Sequence, residues 1–241
     1  MEEVLDIKTI FVVHLPFLKE LFPQGVLITE TVVVSWVVMV ILIALAFILT
    51  RKLKQIPEGA QAILETTVEF LYNFSRNQFG KFAGIFAPYV GTLFLFLFFA
   101  NSIGVLSPVE AFGFKPPFVV KPPTRDINVA GPLALITILM VLICNIKAKG
   151  FLGWLKHFLH PIAFMLPFNI MEYGVRLLSL SLRLFGNMLG GFILMRLIES
   201  LVPVIIPMVF SLYFDFFDGF IQAAIFTFLS VLYISEALEK D

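Results

Sequence analysis

The chain has 241 residues, of which 59% are hydrophobic, 14% are charged and 29 are phenylalanine. So much apolar side chain exceeds what a water-soluble domain of this size could bury, so the composition reads as a membrane protein. Net charge is zero and Cys144 is the single cysteine, which gives no bias towards nucleic acid and excludes a disulfide framework or a cysteine-based metal site.

Residues 1–27 read as an extracytoplasmic arm; their start is acidic and their apolar run short and interrupted, unlike a cleavable signal peptide. Thr31–Thr50, Phe82–Val109 and Ile127–Ile146 contain no Asp, Glu, Lys or Arg. Each is long enough to cross a hydrocarbon core of about 30 Å as a helix. The first crossing is expected at 28–50, and the basic cluster after it, Arg51, Lys52 and Lys54, marks the cytoplasmic side. Pro57 is suited to open the next helix, 57–78. There Ile63, Leu64, Thr67, Val68, Leu71 and Phe74 share one face and Glu58, Gln61, Glu65 and Arg76 another, the pattern of a helix lying in the interface. The second crossing is expected at 85–106. The connection after it carries Pro108, Pro116, Pro117, Pro122 and Pro123, which forbid continuous helix. The third crossing, 127–147, starts with Asp126 as its cap and ends in Lys147 and Lys149.

Beyond Pro161, two long helical runs follow, 162–199 and 204–238. The first carries Glu172, Arg176, Arg183 and Arg196, and the second Asp215, Asp218 and Gln222. A helix of the first run's length spans roughly 57 Å, nearly twice the hydrocarbon thickness, so the pair is expected to form a strongly tilted hairpin. The fold class is therefore an all-α polytopic membrane protein in one membrane domain, with five crossings and one interfacial amphipathic helix. With the N-terminus outside and the C-terminus cytoplasmic, nine of the 17 lysines and arginines fall inside and five outside, Arg125 among the latter. The chain shows neither a repeat of fixed period nor inverted halves, which weighs against a secondary transporter.

Arg183 is the central candidate, because a guanidinium at bilayer depth costs several kcal/mol and cannot escape by deprotonating. Ser179, Arg183, Asn187 and Gly190 recur at three- and four-residue spacing, and Gly186 with Gly190 makes a small-xxx-small pair. Small residues let another helix approach closely, so the charge looks presented to a passing partner. Glu172 and Arg176, four residues apart, are expected to pair on one helix; Arg196 and Glu199 are expected to reach the outer interface. In FDFFDGF, Asp215 and Asp218 form a like-charged pair among phenylalanines. Apolar surroundings and mutual repulsion favour a proton on one of them, which makes it a proton acceptor. Gln222, two helical turns beyond Asp215, extends a polar track. Asn101 and Asn128 are amides of the kind that bond a neighbouring helix. His14, His157 and His160 lack metal-ligand spacing, and no phosphate loop, nucleophile elbow or HExxH motif occurs. Neither a metal nor a cofactor is expected.

SLSLRLFGNMLGG resembles the signature of subunit a of F-type ATP synthases, the stator subunit facing the rotating c-ring. FFANSIGVLSP, PTRDINVAGPLALI and GFIQAAIFTFLSVLYIS resemble further blocks of that family, so the likeness covers most of the chain. The resemblance implies that Arg183 is the essential arginine, Asn187 the asparagine one turn later, Gln222 the glutamine of the final helix and Glu172 a cytoplasmic-side acid. It implies that Asn101, Asp215 and Asp218 line two offset half-channels. The ionisable pair frequent in the family's outer channel is replaced by Phe192 and Asp215, and Arg125 stands where a small residue is usual. Partners implied are the c-ring, the b-subunit peripheral stalk and the remaining complex, with H⁺ or Na⁺ as cargo, in a bacterial cytoplasmic membrane. The alternatives are an independent ion-coupled transporter in which Arg183 binds an anionic substrate, and an assembly scaffold whose polar residues only pack helices.

Overall fold

The computed structural model describes residues 9–13, 26–51, 53–106, 120–150, 153–154, 164, 166–201 and 209–238. The helices are α1 (Glu30–Thr50), α2 (Ala60–Phe79), α3 (Ala83–Ser102), α4 (Ile127–Lys149), α5 (Leu166–Leu201) and α6 (Gly219–Leu238), with a π-helical segment, Leu212–Asp218, leading into α6. Five stretches are long and apolar enough to cross a membrane: Glu30–Thr50, Ala60–Val105, Ile127–Lys149, Leu166–Ile198 and Val209–Leu238. The chain is thus an all-α polytopic membrane protein.

The arm adds one element beyond the expected crossings. Thr9–Val13 (β1) pairs antiparallel with Val26–Thr29 (β2), Val13 opposite Val26. Both strands are rich in β-branched residues, which suit a pleated ribbon, and β2 runs directly into α1. The three histidines, the Glu199 side chain, most of the proline-rich connection and the expected starts of the last two helices lie outside the described residues.

The core is built by α3, α4, α5 and α6. Leu93 and Leu97 of α3 pack with Ala130 and Ala134 of α4, Leu180 and Leu184 of α5, and Ala223 and Phe226 of α6. Alanines at the crossing points bring the backbones close where lipid gives no hydrophobic drive for helices to associate. A second cluster joins Phe79 of α2 and Phe86 and Val90 of α3 to Val141 and Cys144 of α4 and Val231 and Ile234 of α6. Helix α1 is peripheral: Val38 meets Ala100 and Ile103, whereas Val40, Ile43, Phe47 and Ile48 are exposed.

One expectation changes here. Helix α2 starts at Ala60 rather than Pro57, because Gly59, at φ 58°, turns the chain just before it. Its buried stripe is Gln61, Leu71, Ser75 and Phe79, while the apolar Ile63, Val68 and Phe70 are exposed. The polar pair needs no water, since Gln61 bonds the Lys54 backbone and Glu65, and Ser75 donates to the Leu71 carbonyl. The last two helices, expected as a tilted hairpin, meet each other along only part of their length. Helix α5 lies chiefly on α4, and α6 on α3 and α4, because the small residues of α4 admit both arms. The arms meet where Asn187 reaches Asp218 and Gln222. With 36 residues, α5 is about 54 Å long.

Candidate ion-translocation site

Helix α5 buries the stripe Leu180, Leu184 and Met188 against the core, which turns its other side outward. Arg183 is on that outer side and exposed, as are Gly186 and Gly190, while Ser179 is half-buried. Among the described residues Arg183 has neither a hydrogen bond nor an ion pair. A Cβ added at Gly186 or Gly190 would meet nothing within 4 Å, so the glycines keep a shallow groove clear beside the guanidinium. Among the described residues the charge is presented and left uncompensated.

Next to Arg183 stands a polar cluster bridging α5 and α6. Asn187 Nδ2 donates to Asp218 Oδ2 at 2.8 Å and lies 3.5 Å from Gln222 Oε1. Gln222 is buried, and its Nε2 meets no acceptor. Asp215 is elsewhere. It accepts a 2.7 Å bond from Ser211 and faces the turn Ile103–Leu106; a Cβ on Gly104 would stand only 3.0 Å from its Oδ1, so glycine is what admits the carboxylate there. The expected like-charged pair is therefore split, and Asp218 rather than Asp215 continues the track to Gln222. The cause is the π-helical turn: its wider i→i+5 winding removes residues three apart from a shared face. Phe216, between the acids, and Phe220, just after them, wall the segment against α3. Phe98 meets Phe216 at 5.8 Å and Phe220 at 5.9 Å, edge to face.

A second cluster lies at the N-terminal end of α4, where the turn Pro123–Arg125 and Asp126 connect most of the helices. Thr124 donates to Asn101 Oδ1 at 2.6 Å, and Asn101 Nδ2 to the Gly219 carbonyl at 3.3 Å. Asn101 is thus a fully buried link between α3, the turn and α6; a Cβ on Gly219 would crowd its own Cβ at 3.0 Å. Asp126 caps α4 through the Asn128 amide at 2.9 Å, as expected, and also accepts from Asn128 Nδ2 and from Thr31. Among the described residues Asn128 therefore bonds its own cap rather than a neighbouring helix.

Arg125, counted above as an outer loop charge, is 4% exposed. Its Nη2 donates to Glu30 at 2.9 Å, and Lys121 reaches the same oxygen at 3.4 Å. The guanidinium lies 4.6 Å from the centre of the Phe192 ring, which Arg196 approaches at 5.4 Å. Burial pushes the Arg125 pKa below its ordinary value and Glu30 opposes that shift, so the group stays charged. Glu30 was not marked by any sequence signal, because its partner is 95 positions away.

At the other end of the core, Arg176 pairs with Glu172, as expected, and also with Glu236 of α6 at 2.9 Å. It stacks 4.7 Å from the Tyr233 ring centre. Glu236 was not singled out by the sequence either. Among the described residues no group of three or more His, Cys, Asp and Glu could hold a metal.

Comparison with known proteins gives a consistent result. The pattern of the family described as "ATP synthase A chain" matches residues 32–235. A curated relative, "ATP synthase subunit a" of Moorella thermoacetica, is 36% identical over 217 residues, covering 90% of this chain and 94% of the relative.

Proposed function

The chain belongs to the ATP synthase A chain family and is a membrane-embedded, non-catalytic component of an ATP synthase; from that premise we propose that it conducts the ion that drives rotation. In this reading two offset half-channels lead H⁺ or Na⁺ to a carboxylate on the c-ring and away from it. Arg183 separates them. A fixed guanidinium in low dielectric favours the ionised form of a carboxylate passing within a few ångströms, so each ring site releases its ion before it passes and cannot carry it straight across. Rotation follows from the offset, and ATP is made elsewhere in the complex.

One observation supports this above all: Arg183 is exposed and unpaired among the described residues, on a face that Gly186 and Gly190 leave open. A free-standing transporter would supply the counter-carboxylate itself. Asp215, beside Gly104, takes the ion from the outer side, and Asp218, bonded to Asn187, passes it towards the ring face. Glu172, beside Arg176, marks the cytoplasmic exit. The N-terminus is outside and the C-terminus cytoplasmic, the α2 helix follows the interface, and a b-subunit peripheral stalk holds the subunit still.

Arg183→Ala in assembled complexes tests the reading through ion-driven ATP synthesis in vesicles. Coupled synthesis should fall by more than about 100-fold, a loss of roughly 3 kcal/mol of discrimination. Synthesis at the normal rate would leave the scaffold reading in its place.

A further inference from the structure

Arg125 takes no part in the ion path proposed above, yet it is the one buried cation among the described residues. Its Nε and Nη1, also buried, meet no protein acceptor. Each unpaired buried group is costly, and an apolar residue of similar volume is often no worse than a buried ion pair, so fold stability alone is a poor reason for an arginine here. Neutralising Glu30 is a poor reason too, because Lys121 already reaches the same carboxylate oxygen. What Lys121 does not supply is a planar cation over the Phe192 ring, and of the two arginines at that ring Arg125 is the nearer and the buried one.

Phe192 sits on α5 nine residues beyond Arg183, about 13.5 Å along the axis. Its neighbour Gly191 faces the π-helical segment, where a Cβ would lie 3.8 Å from the Phe214 ring. Five residues back, Asn187 reaches Asp218 in the same segment. The α5 turns that carry Phe192 thus set the gap across which Asn187 and Asp218 meet. Closer to Arg183, α5 is backed by α4 through Leu180 and Leu184; towards Phe192 the backing comes from Arg125, itself tied to Glu30 of α1.

We propose that Arg125 is a positioning residue for ion transfer: by pressing the Phe192 turn of α5 from the Glu30 side, it keeps α5 at the spacing from the π-helical segment at which Asn187 meets Asp218. The inference rests on the reading of Arg183 and Asp218 given above. It also explains the use of a planar cation, since a moving partner loads α5 sideways and a guanidinium stacked on a ring resists sliding better than a flexible ammonium.

The test uses whole complexes in vesicles, with ATP-driven ion pumping normalised to assembled enzyme. Arg125→Ala should slow pumping roughly 10-fold, within the about 100-fold that a 1 Å misplacement can cause, and Arg125→Lys should recover only part of it. Phe192→Leu keeps the Glu30–Arg125 pair and should reproduce the Arg125→Ala loss, and the double variant should be no slower than either single one. If Arg125→Ala does not assemble, Phe192→Leu carries the test. Normal pumping by assembled Phe192→Leu, or full recovery by Arg125→Lys, overturns the proposal. Arg183→Ala run in parallel separates the two claims: if it still pumps, the ion-path reading itself has failed, whereas its loss beside normal Phe192→Leu pumping removes only the role of Arg125.

Discussion

Two arginines of this bundle live under opposite conditions. Arg125 is enclosed by α1, α4 and α5 and paired with Glu30, whereas Arg183 is exposed on α5 with open space at the neighbouring glycines. The first is held by its own chain, and the second, on the reading proposed above, is offered to another. Their surroundings account for the difference: Arg183 is followed by small residues that clear a groove, while Arg125 follows a proline-rich turn pinned by Thr124 and Asp126.

The contrast can be broken by removing each charge in turn. Arg183→Ala should abolish coupled synthesis while leaving thermal unfolding of the purified subunit unchanged, because no hydrogen bond or ion pair among the described residues is lost. Arg125→Ala should differ in also lowering stability, by about 3 kcal/mol in a denaturant titration, since Glu30 keeps only the longer contact to Lys121. A smaller effect is expected from Gly186→Leu. It should leave the subunit as stable as before, or gain about 0.7 kcal/mol of helix propensity, yet slow rotation several-fold in single-complex assays by filling the groove. The smallest effect belongs to Glu236→Gln. Arg176 keeps Glu172, and the carboxylates of both Glu172 and Glu236 are more than half exposed, so unfolding should shift by no more than about 0.5 kcal/mol.

The same comparison explains what the sequence could disclose. The groove beside Arg183 was legible because Ser179, Asn187 and Gly190 repeat with the helical period, and one period holds throughout α5. The division of Asp215 from Asp218 was not, because the reading assumed an α-helical turn where the chain takes a π-helical one. Arg125 was misplaced since a charge after prolines reads as a loop charge; its partners Glu30 and Phe192 lie far off in the chain and are met only once five helices are packed. Glu236 escaped for the same reason, 60 positions from Arg176. The β-ribbon was overlooked because TIFVV and VLIT are too short to register as crossings.

The central claim, that Arg183 offers its charge to a moving partner chain, is open to direct measurement by cross-linking. Cys144 is buried, so Gly186→Cys or Gly190→Cys provides a single accessible thiol beside Arg183. Paired with cysteines placed along the outer helix of the c-ring in the intact complex, these thiols should form disulfides at the depth of the ring carboxylate, and each disulfide should stop rotation until it is reduced. Thiols that react freely with a small maleimide in the assembled complex, and join no position on the ring, would contradict the account.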